Sequence, residues 1–127
     1  MRVLLDTHTF LWAVGEPARL SRKVTQFLTA DDTQAFLSAA SLWEIALKVR
    51  AGKLRLPETA EFFVEHMAAL GVQPLAVEVS HVLLVLGLPD HHRDPFDRLL
   101  IAQSQAEHLP IVTSDPAIRR YSVEVLW

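Results

Sequence analysis

The sequence predicts an α/β fold with a mainly parallel sheet, and three observations lead to this prediction. Short apolar runs alternate with amphipathic stretches of about ten residues, as in strands joined by crossover helices. The runs at 3–5 and 111–112 are apolar at every position, which is typical of parallel strands covered by helices on both faces. The length of 127 residues suits one domain, so residues 1–127 are expected to form a single unit.

The strands are assigned to apolar runs that end at polar or turn-forming residues. The first run begins at Arg2 and stops at Asp6, and its even hydrophobicity indicates a buried strand. By the same criterion, strands are predicted at 2–5, 34–38, 72–77, 110–114 and 123–126.

The stretches between the strands have helical periodicity, with recognisable starts and ends. Ser21 is expected to cap one helix, and Pro57 stands at the start of another that ends before Gly71, the asymmetry common in helices. Helices are predicted at 7–14, 20–30, 41–51, 57–70, 80–86 and 96–108. All the glycines stand where a helix is expected to end, so none remains for a phosphate-binding loop: Gly15, Gly52, Gly71 and Gly87.

The composition excludes several classes of protein. With 50% hydrophobic and 21% charged residues, general disorder is ruled out. The net charge of −3 argues against a surface coated in positive charge for holding nucleic acid. The absence of cysteine excludes disulfides, thiol catalysis and Cys-ligated zinc, and fits the reducing cytoplasm. No apolar run is long enough to cross a membrane, and Asp6 comes too early for a signal peptide, so a soluble cytoplasmic protein is expected.

Several acids stand at or just beyond the carboxyl ends of the predicted strands, where open parallel sheets bind ligands. They are Asp6 after the first strand, Glu44 after the second, Asp97 at the start of the helix leading into the fourth, with Asp94 one turn earlier, and Asp115 after the fourth. Carboxylates that converge in a cleft repel one another unless some protonate or a cation joins them. An oxygen-only donor set suits Mg²⁺ or Mn²⁺, and such ions could activate a water for phosphodiester hydrolysis.

Helix capping is the alternative explanation for each of these acids. Asp94-Pro95-Phe96-Asp97 has the pattern of an N-cap, a proline at the first helical position and an acid at the third. Asp115-Pro116 repeats the pattern, and Ser41-Leu42-Trp43-Glu44 matches a capping box. Capping explains each position singly, but it gives no reason for several such positions to converge.

The acids lie within a characteristic set of segments. In chain order these are Leu4-Leu5-Asp6-Thr7-His8, Ser41-Leu42-Trp43-Glu44-Ile45, RDPFDRLLIAQ from Arg93 to Gln103, and Val112-Thr113-Ser114-Asp115. The set resembles the PIN-domain ribonucleases and, within them, the VapC-type toxins of bacterial and archaeal toxin–antitoxin pairs. The resemblance covers residues 4 to about 121, and its most specific segment is Arg-Asp-Pro-Phe-Asp-Arg.

The resemblance implies a three-layer α/β/α sandwich with an acidic pocket that binds Mg²⁺ or Mn²⁺. It further implies endonucleolytic cleavage of RNA by a metal-activated water, in a homodimer that a cognate antitoxin neutralises. Thr113 corresponds to a hydroxyl residue that supports the pocket, and Thr7 is placed to hydrogen-bond an acid. By the same analogy Asp94 is an auxiliary ligand or a cap, and the core acids are Asp6, Glu44, Asp97 and Asp115.

Basic and aromatic side chains near the motifs remain open to two interpretations. His91 and His92 lie in a polar loop that is either merely solvated or in contact with RNA phosphate. Arg93 and Arg98 flank Asp97 and could meet a phosphate or hold the acids in place. A basic cluster is either a solvated helix end or a contact with RNA or the antitoxin, and it consists of Lys48, Arg50, Lys53 and Arg55. Two tryptophans are either core residues or anchors for the antitoxin: Trp12 and Trp43. Three histidines are expected to be ordinary helix residues: His66, His81 and His108.

Two other functions compete with the nuclease. The first is a PIN-fold binding module whose acidic site is vestigial, which the complete set of acids disfavours. The second is a phosphatase with Asp6 as an aspartyl nucleophile. Such enzymes usually need a second acid two residues further on, where this chain has His8.

Overall fold

The computed structural model describes all 127 residues, and a five-stranded sheet runs through its centre. Every pair of neighbouring strands is parallel, and the strand order is β3-β2-β1-β4-β5. The strands are β1 (Arg2–Leu5), β2 (Gln34–Ser38), β3 (Val72–Leu75), β4 (Ile111–Val112) and β5 (Val125–Leu126). The predicted parallel α/β fold is therefore confirmed.

Six α-helices connect the strands: α1 (Thr7–Gly15), α2 (Arg22–Leu28), α3 (Ala39–Arg50), α4 (Ala60–Ala69), α5 (Val79–Leu84) and α6 (Pro95–Glu107). Short 3₁₀ turns lie at Pro17–Arg19, Val85–Gly87 and Ile118–Arg120. Crossing a bilayer would take a longer and more apolar helix than any of these.

The helices cover both faces of the sheet, and a separate apolar core lies on each face. Val3 and Leu5 belong to the core that β1 shares with helices α1 to α4, whereas Leu4 points into the core formed with α6. None of these three side chains is exposed, and complete burial of an aliphatic side chain contributes roughly 1.5–3 kcal/mol. Two buried faces explain why β1 is apolar at every position, and they give the three layers that the resemblance implied.

The start of α3 differs from the prediction. The N-cap is Ser38, whose Oγ accepts a hydrogen bond from the Ala40 N–H at 3.0 Å, so the helix begins directly after β2. The predicted helix start at residue 41 and the alternative of a Ser41–Glu44 capping box are therefore both wrong, because both residues lie inside the helix. Both side chains are buried, where they face the neighbouring helix α1.

Other boundaries shifted for local reasons. Helix α4 begins at Ala60 with Thr59 as its N-cap, so the predicted start at Pro57 is wrong by one helical turn. Strand β3 ends at Leu75, and it tolerates Pro74 because it lies at the edge of the sheet. Ser21 caps α2 as predicted, since its Oγ accepts from the Val24 N–H at 3.1 Å.

Two of the predicted helix ends need glycine. Gly52 and Gly71 follow α3 and α4 with φ angles of 75° and 65°, in the left-handed region that side chains disfavour.

Trp43, whose burial in the core was one of two expectations, is 61% exposed and meets Phe96 edge-on at 5.3 Å between ring centroids. Trp12 is partly buried against Trp127, at 5.8 Å between ring centroids.

Candidate active site

The strand order reverses between β1 and β4, and ligands of open α/β sheets bind at such a switch point. Asp6 follows β1 directly and is only 4% exposed. Its Oδ1 accepts a hydrogen bond from the Thr9 N–H at 2.7 Å, so Asp6 is the N-cap of α1. Its backbone N–H donates to the Val112 carbonyl at 3.2 Å, which fixes the acid to the end of β4.

Thr113 joins two of the acids. Its buried hydroxyl donates to Asp6 Oδ2 and accepts from the Asp115 N–H at 3.0 Å. Asp115 Oδ1 in turn accepts from the Ala117 N–H at 2.9 Å. Asp115 therefore caps a turn that leads to a short 3₁₀ segment, so the capping alternative describes its local role without a full α-helix.

Glu44 reaches the same region from α3. It is 5% exposed, and its Oε1 accepts from the Thr7 hydroxyl at 2.7 Å. The Thr7 hydroxyl also lies 3.0 Å from Ser41 Oγ. Lys48, one turn along α3, donates to Glu44 Oε2 at 2.9 Å. The carboxylate is thus held by a hydroxyl from α1 and a cation from its own helix.

Asp97 enters from the opposite side, in the first turn of α6. Asp94 is the N-cap of this helix, since its Oδ1 accepts from the N–H groups of Phe96 and Asp97 at 2.9 and 3.0 Å. The predicted cap with Pro95 at the first helical position is confirmed. Asp97 Oδ2 lies 3.3 Å from His92 Nε2, and its side chain is 17% exposed.

The carboxyl groups of this region repel one another. Burial raises the pKa of Asp97 to about 7, and the neighbouring charge of Asp94 adds to the shift. The charges of Asp115 and Glu44 raise the Asp97 pKa further, while the hydrogen bond with His92 lowers it. Burial also raises the pKa of Asp6, against the hydrogen bonds from Thr113 and Thr9. Excess negative charge therefore gathers at the switch point.

Two of the acids, Asp6 and Asp115, border an open cleft, whereas Glu44, Asp94 and Asp97 are not part of its lining. A cavity of about 290 Å³ is lined by Asp6, His8, Trp12, Ser114, Asp115 and Pro116. No three carboxylate or imidazole side chains lie close enough together to form a complete metal site. Magnesium, however, commonly uses one or two carboxylates and keeps several waters. The oxygen donors and their excess charge therefore fit Mg²⁺ or Mn²⁺ better than a cation that needs a closed protein cage.

The basic residues beside the acids have different environments. Arg98 donates from Nη1 to the Pro89 carbonyl at 2.8 Å and to Tyr121 Oη at 3.0 Å, and its side chain is 12% exposed. It thereby holds the loop that precedes α6. Arg93 is exposed in this loop, and the ring of His91 lies 4.8 Å from that of Tyr121.

Three contacts were not foreseen from the sequence. The spacing of Glu44 and Lys48 is the i, i+4 spacing of helical ion pairs and could have signalled their contact. Tyr121 gave no signal, because its partners lie 23 to 29 residues away. His81, read as an ordinary helix residue, is 1% exposed and lies 2.8 Å from Glu107 between α5 and α6.

Comparisons with known proteins agree with this architecture. The family model of the PIN domain matches residues 3–124. Ribonuclease VapC22 of Mycobacterium tuberculosis is 30% identical over 123 residues, which cover 94% of this chain and 91% of that protein.

Two solved structures share the fold. The structure of VapBC2 from Rickettsia felis, bound to a promoter DNA fragment, matches with a TM-score of 0.74 at 14% identity, over 99% of this chain and 98% of that one. A toxin–antitoxin complex from Klebsiella pneumoniae matches with a TM-score of 0.59 at 16% identity, over 98% and 96% of the two chains. The chain therefore belongs to the PIN-domain family, as a member of the VapC type.

Proposed function

We propose that this chain is a metal-dependent endoribonuclease that hydrolyses RNA phosphodiester bonds and acts as the toxin of a toxin–antitoxin pair. The observation that carries the proposal is the link from Asp6 through Thr113 to Asp115 at the strand ends, beside an Asp97 whose pKa is raised partly by the charges of Asp115 and Glu44. Mutual repulsion of this kind is expected where a bound cation completes the site.

The four acids are the proposed catalytic residues and the proposed ligands of Mg²⁺ or Mn²⁺, with Asp94 as an auxiliary group. When bound, such an ion lowers the pKa of a coordinated water and offsets charge on the leaving oxygen. Asp94 already accepts two backbone N–H groups through Oδ1, so its Oδ2 is the atom available for an auxiliary role.

The supporting residues fix the acids before any cation arrives. Thr113 orients Asp6, and its contact with the Asp115 N–H keeps the two acids at adjacent strand ends. Thr7 orients Glu44 in the same way from α1. Pre-oriented ligands lose little conformational freedom on binding, which favours a reactive geometry.

RNA is proposed to approach over the loop that precedes α6. Arg93 is exposed beside Asp94 and can offer a cation to a phosphate group. His91 also remains a candidate RNA contact. Arg98 and His92 are weaker candidates, because the Arg98 guanidinium is already bound to the loop and both ring nitrogens of His92 already have protein partners.

The proposed protein partners are a cognate antitoxin and a second copy of this chain, in the cytoplasm. The relatives include a toxin–antitoxin complex, which supports the first partner. Apolar side chains on α5 and the following turn support a protein interface, because large exposed apolar patches commonly mark one. The most exposed are Val79, Leu83 and Leu86, at 75%, 58% and 85%.

Cleavage of RNA by purified protein tests the catalytic proposal. With Mg²⁺ or Mn²⁺ present, the unaltered chain is expected to cut RNA, and Asp6→Asn is expected to abolish cutting while circular dichroism shows an intact fold. Asp31→Asn is the matched control, because Asp31 is an exposed acid outside the cleft. Undiminished cleavage by the Asp6→Asn protein would overturn the proposal.

Two further measurements separate the nuclease from its competitors. A vestigial binding module would show no calorimetric Mn²⁺ binding that depends on Asp6 and Asp115. A phosphatase would form a trappable phosphoryl group on Asp6, whereas the nuclease would form none.

A further inference from the structure

A series of hydrogen bonds connects Tyr121 through His92, in the loop before α6, to Asp97. His92 Nε2 lies 3.3 Å from Asp97 Oδ2, and His92 Nδ1 lies 2.8 Å from Tyr121 Oη. The Tyr121 side chain is buried, with 4% of the residue exposed, and His92 is 18% exposed. The imidazole is therefore held on both ring nitrogens.

The donors around Tyr121 determine the direction of these hydrogen bonds, that is, which atom carries each proton. Tyr121 Oη accepts from the His92 N–H at 3.3 Å and from Arg98 Nη1 at 3.0 Å. With both acceptor positions occupied, the phenol proton has one remaining partner, which is His92 Nδ1. An imidazole that accepts at Nδ1 carries its proton on Nε2, the atom that faces Asp97.

We propose that His92 is a positioning residue for Asp97 and that Tyr121, held by Arg98, selects the tautomer of His92 that donates to this carboxyl. His92 fixes one oxygen of Asp97, and no protein group donates to the other, Oδ1. The carboxyl is thereby oriented with one oxygen free for a cation. This inference rests on the proposed function, because orientation of Asp97 matters for metal binding.

Some residues do not bind the metal but hydrogen-bond to a carboxylate or imidazole that does. Their removal typically lowers metal affinity or activity by about 10- to 100-fold. His92→Leu is therefore expected to weaken Mn²⁺ binding, measured by calorimetry without RNA, by about 10- to 100-fold. His92→Gln is expected to recover much of the loss, because the amide nitrogen of glutamine can donate from a position close to that of Nε2. His66→Leu, which removes an imidazole from α4, is the matched control and is expected to bind Mn²⁺ normally.

The tautomer of His92 gives a readout that a general structural role would not change. In the metal-free protein, long-range ¹H–¹⁵N NMR is expected to show the proton on Nε2, and Tyr121→Phe is expected to abolish this preference. The signal is assigned by its loss in His92→Gln. The Tyr121→Phe variant retains the buried ring, so it tests the proposal even where His92→Leu fails to fold.

The outcomes distinguish this inference from the proposed function. Equal Mn²⁺ affinity in folded His92→Leu and in an unaltered protein that binds Mn²⁺ and cuts RNA would overturn the positioning role alone. A proton on Nδ1 of His92 in the unaltered protein would also overturn it. Failure of the unaltered protein to bind Mn²⁺ or cut RNA would overturn both proposals.

Discussion

The raised pKa of Asp97 predicts that the metal-free protein loses stability as pH rises. The folded-state pKa is about 7, against an ordinary value of 3.8 that applies to the unfolded chain. Below the lower value both states hold the proton. Between the two values the unfolded chain has released it while the folded protein retains it, so rising pH favours unfolding. Above the upper value both states are ionised and the loss is complete.

The size of the effect follows from the shift. Between about pH 5 and pH 8, the unfolded chain is ionised at this position while the folded protein keeps the proton up to about pH 7. These roughly two pH units correspond to about 2.7 kcal/mol of unfolding free energy before screening. The Asp97 side chain keeps 17% of its exposure, so solvent screens the charge. Reducing the figure by roughly half leaves about 1 to 1.5 kcal/mol of lost unfolding free energy.

Guanidinium unfolding in the presence of a chelator measures this loss, with Asp97→Asn as the reference. The variant cannot ionise at this position, so its stability is expected to fall less than that of the unaltered protein over the same pH interval. The difference between the two slopes removes the contribution of Asp6, whose pKa is also raised. Mn²⁺ at about 100 times its dissociation constant is expected to return about 2.7 kcal/mol to the unaltered protein alone. Identical pH slopes in both proteins would refute the electrostatic reasoning.

Three further predictions test the core, the site and the interface. Leu4→Ala is expected to cost about 2 to 5 kcal/mol in chemical unfolding because Leu4 is fully buried, whereas Val64→Ala, at a residue 66% exposed, should change stability by less than about 0.5 kcal/mol. Thr113→Val leaves the Asp6 carboxyl without its hydroxyl donor, so the unfolding free energy should fall by about 1 to 3 kcal/mol. Calorimetric Mn²⁺ affinity should fall as well, and an unchanged affinity would show that the hydroxyl does not support metal binding. Leu83→Glu places a charge on the exposed face of α5 and is expected to convert the proposed dimer to a monomer in sedimentation, whereas a dimer of unchanged mass would contradict a contact through α5.

The sequence was informative where a local pattern decides the structure. The apolar run of β1 followed by Asp6 identified both a buried strand and the acid at its end, because the apolar residues of a buried strand are directly followed in sequence by the polar residue that ends it. The helix start at Asp94 and Pro95 was likewise visible, since a cap and a proline act on their immediate neighbours.

The sequence was less informative where residues far apart in the chain make a contact, or where two neighbouring residues are equally suited to one role. Ser38 and Ser41 are both suitable caps, and the choice depends on β2 ending at Ser38. The contact of His92 with Tyr121 joins residues 29 positions apart in loops without periodicity. The strands predicted at 110–114 and 123–126 are too long, because β4 and β5 pair with their neighbours at only two positions each.

Capping and metal binding, which the sequence presented as alternatives, occur together at Asp6. A carboxylate has about four lone-pair positions, so accepting the Thr9 N–H and the Thr113 hydroxyl leaves room for a further ligand. The cap also places the positive end of α1 behind the acid, which favours the ionised form that a cation needs. The same hydrogen bond that begins the helix therefore orients the carboxylate in the cleft. On this reasoning the proposed ligands are positioned by folding itself, and the cation has only to occupy a site whose first acid is already fixed.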